Sequence, residues 1–154
     1  MATLKAWDTI NGALGTCYVD IDGNKEEVLY LKNIEAKIKK SKREIKVLGQ
    51  TGTKHKSSGW SGTGKMTAYY STSKFRELML KYIKEGKDTY FEIIIENNDP
   101  SSDIQRQSIA LKQVNIDNVT MAKLDINSTE LDEEMTFTFN DVDILESFKP
   151  VVGE

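Results

Sequence analysis

The chain has 154 residues, 38% of them hydrophobic and 29% charged, which suits one folded domain with its own core and excludes a disordered segment. Its 21 Lys and Arg against 24 Asp and Glu leave a net charge of −3, with a pI near 5.3. This argues against a dedicated nucleic-acid binder, whose affinity comes from neutralising phosphates. One cysteine and one histidine exclude an internal disulfide, a thiolate zinc site and a histidine metal cluster.

The N-terminal "MATLKAWDTINGALG" lacks the apolar stretch of a secretory signal, so the chain is expected to begin in the cytoplasm. No window is apolar enough for a transmembrane helix. From residue 16, "TCYVDIDGNKEEVLYLKNIEAKIKKSKREIKVLG" alternates. Val28 and Tyr30, then Ile34, Ala36 and Ile38, then Ile45 and Val47 take every second position, the period of half-buried strands. Asp22-Gly23 between apolar runs predicts a tight hairpin. "DIDGN" also resembles the start of a calcium loop, but its glycine comes two residues early and no glutamate closes it. Cys17 reads as a small apolar strand residue. "KIKKSKREIK" (37–46) reads as a strand or hairpin with a charged outer side that discourages stray edge pairing.

Next comes "GQTGTKHKSSGWSGTGKM" (49–66). Gly59 to Lys65 spells the G-x-x-x-x-G-K of a phosphate loop. Met66 stands where a magnesium-binding hydroxyl belongs, and "KMTAYYSTS" alternates like a strand where a helix is required. Nucleotide binding through Gly59–Lys65 is therefore a weak alternative. The stretch is expected to be a long, flexible loop or extended hairpin over 49–64. Loops beyond about 12 residues in a compact domain are usually functional or disordered, which points to a partner. His55, between Lys54 and Lys56, reads as part of an exposed basic spot and not as a catalyst.

"STSKFRELMLKYIKEGKD" predicts the one helix, over 73–85. Ser71 or Ser73 can cap it, Gly86 suits its C-terminal end, and Phe75, Leu78, Met79, Tyr82 and Ile83 form a stripe expected to be core. "TYFEIIIEN", "QSIALKQVNIDNVTMAKLDIN" and "MTFTFNDVDI" read as further strands. The apolar spacing slips from even to odd intervals between Ala110 and Ile116, which predicts a bulge or a short break. "NNDPSSD" (97–103) and "NSTELDEE" (127–134) read as turns or loops, and the carboxylates of the latter as solvated. No catalytic acid–base pair, cofactor site or metal site emerges, and the glycosylation patterns at Asn118 and Asn127 carry no meaning without a secretory signal. The expected fold is mainly β, a sandwich or barrel with one flanking helix and a long extended loop, in a single domain over 1–154.

Charge divides by position. Residues 1–87 carry 17 Lys/Arg against 9 Asp/Glu, and residues 88–154 carry 4 against 15. One monomer can fold such halves together and mix their charges over one surface, and equally the halves suit a patch that meets a different patch on another copy.

The order of "INGALGTCYVDIDGN", "EAKIKKSKREIKVLGQTGTKHKSSGWSGTGKM", "STSKFRELMLKYIKEGKDTYFEIIIENNDPSSD" and "AKLDINSTELDEEMTFTFNDVDILESF" resembles the tail-tube proteins of contractile-tailed phages, in particular the XkdM type of PBSX-like Bacillus prophages. The resemblance covers nearly the whole chain and rests on the "LG…K…G…GTG" stretch, the "NNDP" turn and the late "FTF". It implies a β-sandwich or barrel with one helix and no enzymatic activity or cofactor. It further implies hexameric rings stacked into a hollow tube within a contractile sheath, a cousin of the type VI secretion tube.

Sheath and baseplate proteins would be the partners, and DNA would only pass through the lumen. The setting would be a virion or phage-like tail, put together in the bacterial cytoplasm, with no membrane or small-molecule ligand. The loop 49–64 would reach a neighbouring subunit or ring, with Gly49, Gly52, Gly59, Gly62 and Gly64 letting it bend and Trp60 as its anchor. Lys54, His55 and Lys56 would meet carboxylates of another copy at Glu130, Asp132, Glu133 and Glu134. Gln107, Lys112, Asn115 and Asp117 are candidates for the lumen face. A non-polymerising β-sandwich adaptor or baseplate module is the other alternative.

Overall fold

The Asp22–Gly23 turn opens the sheet. Both residues have positive φ, 52° and 83°, the geometry of a two-residue hairpin loop, and glycine adopts it without steric cost. The turn joins strand β1 (Gly15–Ile21) to β2 (Asn24–Glu27). The computed structural model describes residues 3–28 and 31–149, so Tyr30 lies outside the described residues. Then follow β3 (Leu31–Lys46), β4 (Thr53–Tyr69), helix α1 (Lys74–Glu85), β5 (Phe91–Asn98), β6 (Arg106–Ile116), β7 (Asp132–Phe139) and β8 (Asp141–Glu146).

All strand pairs are antiparallel, in the order β2-β1-β5-β6-β7-β4-β3, with β8 also on β6. β6 therefore belongs to two sheets. Its first part lies between β5 and β8, and its last residues, Asn115 and Ile116, pair with β7. The expected register slip is the device that makes this possible. Phe91 faces Val114 and Ile93 faces Leu111, and Gln113 between them has φ 54°. Such a bulge bends the strand and carries it from one sheet to the other.

The inner faces of both sheets meet in one core. Val19 of β1, Ile93 of β5, Leu111 and Val114 of β6, Met66 of β4, and Met135 and Phe137 of β7 are buried together, with Phe75 of α1 against Phe91. Cys17 lies in this core, where burial pushes its thiol up to about 12, so it is neutral and unreactive. Two internal turns brace the edge. Asp99, buried in the turn after β5, accepts the amides of Asn11 and Ser101 at 2.9 Å, and Asp103 donates its amide to the Trp7 carbonyl at 2.9 Å.

Ser73 precedes the helix and Gly86 follows it, with φ 70° and its amide donated to the Tyr82 carbonyl. Two expectations about it are corrected. Neither Ser71 nor Ser73 caps through its side chain, since Ser71 Oγ donates back to Tyr69 and Thr72 Oγ1 accepts the Lys74 amide instead. The apolar stripe is only half core, with Phe75 buried, Leu78 and Met79 partly so, and Tyr82 and Ile83 exposed. A third correction concerns residues 117–131, whose strand-like sequence up to Ile126 forms no strand.

Candidate functional site: a projecting hairpin arm

Of the two expectations for 49–64, the extended hairpin is found and the flexible loop is not. Residues 53–64 are strand, paired with β3 from Lys46↔Thr53 back through Ala36↔Gly64, with a bulge at Ser58 between the Lys42↔Ser57 and Ser41↔Gly59 pairs. Only the tip turns, where Gln50 donates to the Val47 carbonyl and Gly49 has φ 82°. Apart from Trp60, Thr53 to Ser61 are small, polar or charged, and they have no buried face to give a period. Cross-strand pairing with β3 is what makes them β, and that is a long-range effect.

Past the Gly62↔Phe139 pair, β4 loses β7 and keeps β3 alone. Every residue from Lys37 to Ser61 is exposed. The nine residues 53–61 carry the hairpin roughly 30 Å beyond the sheet at the usual strand rise. A two-stranded ribbon without a third strand or a covered face is marginal in water.

The arm has two unlike faces. On one side Met66, Gly64, Gly62 and Trp60 alternate and continue the core outward, opposite Ile34, Ala36, Ile38 and Lys40. Phe139 and Phe137 of β7 lie over Gly62 and Gly64, where a Cβ would overlap their rings. These two glycines serve ring packing and not bending. Gly52 and Gly59 stand in open space, and Gly49 alone sits in the turn. Trp60 is also less isolated than expected, because its ring tilts against Phe139 at 6.5 Å while half of it remains exposed.

The arm's charge is one-sided: residues 32–65 hold ten Lys and Arg against Glu35 and Glu44. Lys54 lies opposite Ile45, His55 opposite Glu44 and Lys56 opposite Arg43. The last pair sets like charges directly across the ladder, which costs stability unless a counter-charge arrives. Glu35 is held by Lys37 at 3.1 Å.

The expected carboxylates gather at the far end of β4, where Tyr69 pairs with Asp132. Asp132 to Glu134 open β7 and do not lie in a loop. Asp132 is taken by Lys32 at 3.0 Å and Lys123 at 3.6 Å, and Lys32 holds its carboxyl below the ordinary range. Glu133 is buried, and Arg76 of α1 reaches it at 2.7 Å. Burial pushes this carboxyl up, and the guanidinium pulls the other way. Glu133 is therefore an internal anchor and is withdrawn as a surface contact. Glu130 and Glu134 are exposed. Within one chain none of the four pairs with Lys54, His55 or Lys56.

The lumen candidates do not share a face. Gln107 alternates with Ile109 and Leu111, whereas Lys112 points the other way and pairs with Asp143 at 2.7 Å. Beyond the bulge Asn115 donates to Asp88 at 2.6 Å, and Asp117 lies beside the exposed side of β7, donating its amide to Thr136.

A phosphate cradle at Gly59–Lys65 is ruled out by the strand that runs straight through it and by the rings over two of its glycines. Among the described residues no three His, Cys, Asp or Glu side chains are grouped to hold a metal ion. No described helix is long and apolar enough to cross a membrane.

Residues 2–146 match the family described as phage tail tube protein. The chain belongs to that family. It is 41% identical over 143 residues to the phage-like element PBSX protein XkdM of Bacillus subtilis (strain 168), covering 93% of this chain and 95% of that one. The uncharacterized protein YqbM of the same organism is 39% identical over 146 residues, 95% of this chain and 97% of the other. Among solved structures, the sheath-tube complex of an extracellular contractile injection system, PVC, in its extended state superposes with a TM-score of 0.69 at 13% identity. The match covers 90% of this tail tube protein and 92% of that chain, and at such low identity it is the fold that is shared. The XkdM-type resemblance and the mainly β, one-helix fold hold, and the family is structural and not enzymatic.

Proposed function

We propose that this tail tube protein closes into hexameric rings that stack into a conduit inside a contractile sheath, with the β3–β4 arm as the element that reaches a neighbouring copy. The observation that carries the reading is the arm itself: every residue from Lys37 to Ser61 is exposed, and even Trp60, against Phe139, keeps about half of its surface bare. Trp60 and Ile38 supply an apolar anchor, and the uncompensated Lys56 and Arg43 supply charge. Lys54, His55 and Lys56 then find carboxylates on another copy, Glu130 and Glu134 being free to meet them. The name of the sheath-tube complex supports sheath as a partner, and an anti-feeding prophage baseplate, which superposes with a TM-score of 0.64 at 10% identity, supports baseplate. DNA would pass through the lumen without being held, and the particle would be put together in the cytoplasm of the bacterial host.

The test is a shortened arm. Replacing Ser41–Gly59 with Asn-Gly joins the opposed pair Lys40 and Trp60 by a two-residue turn and leaves the sheet untouched. The variant is expected to keep the wild-type circular dichroism and melting temperature and to form neither rings nor tubes in electron micrographs. Tubes as abundant as those of the full chain would refute the reading. The same micrographs separate a tube subunit from a non-polymerising adaptor.

A further inference from the structure

Residues 117–131 connect β6 to β7, and their first half contradicts its own sequence. "VTMAKLDI" (119–126) is written like a strand, yet among the described residues none of the amides of 118–126 donates to a protein acceptor. The segment is not adrift, because its inner side is fastened at four points. Val119 packs against the core, Arg76 donates to the Thr120 carbonyl at 3.3 Å, Tyr70 donates to the Met121 carbonyl at 3.5 Å, and Lys123 Nζ reaches the Asp132 carbonyl at 2.8 Å. Its outer side is apolar and bare: Leu124 is 97% exposed and Ile126 98%. A tethered segment with a strand-like sequence, free amides and an uncovered apolar face has the chemistry of a strand awaiting a partner.

We infer that residues 119–126 are a docking strand that receives the free β3 edge of the arm of a second copy. Three observations choose this occupant. β3 ends the strand order, so its outer row of amides and carbonyls has no partner among the described residues, and its ten-residue outer part is long enough for an eight-residue mate. Charge is complementary, since exposed Asp125 lies in the segment and exposed Glu130 and Glu134 follow it, while its one cation, Lys123, is turned inward onto Asp132. The arm tip and the segment lie at opposite ends of β4, the tip before Thr53 and the segment tied to Tyr70 just after Tyr69. One copy therefore cannot satisfy itself, and the contact repeats head to tail.

The inference rests on the tube reading and deepens it. Amide hydrogen exchange on the full chain, as monomer and as polymer, tests it directly. Amides 119–126 exchange freely in the monomer, and alternate ones, those facing the arriving edge, slow by about 100-fold or more in the polymer. Leu124→Asp with Ile126→Asp removes the apolar face at two fully exposed positions, so the monomer's circular dichroism stays wild-type while polymerisation is lost. A wild-type polymer whose 119–126 amides stay unprotected, or a double variant that polymerises like wild type, overturns the docking strand alone. A wild-type chain that never polymerises overturns the tube reading as well.

Discussion

Gly64 shows what a single absent side chain does. It lies under Phe137, and a Cβ there would also stand 2.9 Å from the Glu35 carbonyl oxygen, so neither ring nor backbone can yield cheaply. Gly64→Ala is expected to lower unfolding free energy by about 1–3 kcal/mol, the usual cost of overpacking, read from the midpoint of urea unfolding. Gly59→Ala is the control. Nothing lies within 4 Å of its Cβ position, so the midpoint should stay or rise slightly as the unfolded chain loses freedom. In the sequence the two glycines look alike, both parts of one G-rich run. What separates them is the β7 aromatics, more than seventy residues away in the chain and silent in any local pattern.

Among the elements, α1 is held to β7 by one buried pair. Arg76 stacks over Tyr70 at 4.3 Å and bonds Glu133, and both side chains are almost fully covered. Removing the guanidinium in Arg76→Ala strands a buried carboxylate, so a loss of about 3–5 kcal/mol is expected in thermal or urea unfolding. The sign of the pH dependence follows from linkage. Burial already raises the Glu133 carboxyl, and without Arg76 it rises further, so the folded state binds a proton that the unfolded state releases. The variant's deficit therefore shrinks as pH falls from 7 towards 5 and Glu133 protonates. A deficit that is flat with pH would mean that packing, not the charge, was lost.

This pair was not legible in the sequence, because "ELDEE" offers four carboxylates and no period to show that one of them turns inward. The elements with local rules were legible. Asp22-Gly23 dictates its hairpin, Gly86 ends its helix, and the slip before Ile116 reports its bulge. Those decided by distant partners were not. The arm strand at 53–61 has no period of its own, and 119–126 has a strand-like sequence but no mate among the described residues.

For the whole molecule, that last mismatch and the charge division belong together. The arm concentrates Lys and Arg at one end of β4, and the other end shows exposed Glu130 and Glu134 beside Leu124 and Ile126. A body with unlike ends joins its copies head to tail, and such contacts extend without limit or close into rings. Electrostatics then governs mainly how fast copies meet, and apolar contact governs how long they stay. Between about 0.1 M and 1 M salt the screening length falls from about 10 Å to about 3 Å, short compared with the arm. Polymerisation followed by light scattering should thus slow by about tenfold or more over that range, while the monomer's melting temperature moves little. Reversing charge in Lys54→Glu with Lys56→Glu should slow it at low salt and flatten the salt dependence. If high salt instead leaves the wild-type rate unchanged or raises it, apolar contact alone drives the meeting of copies, and the segregation of charge along β4 has another cause.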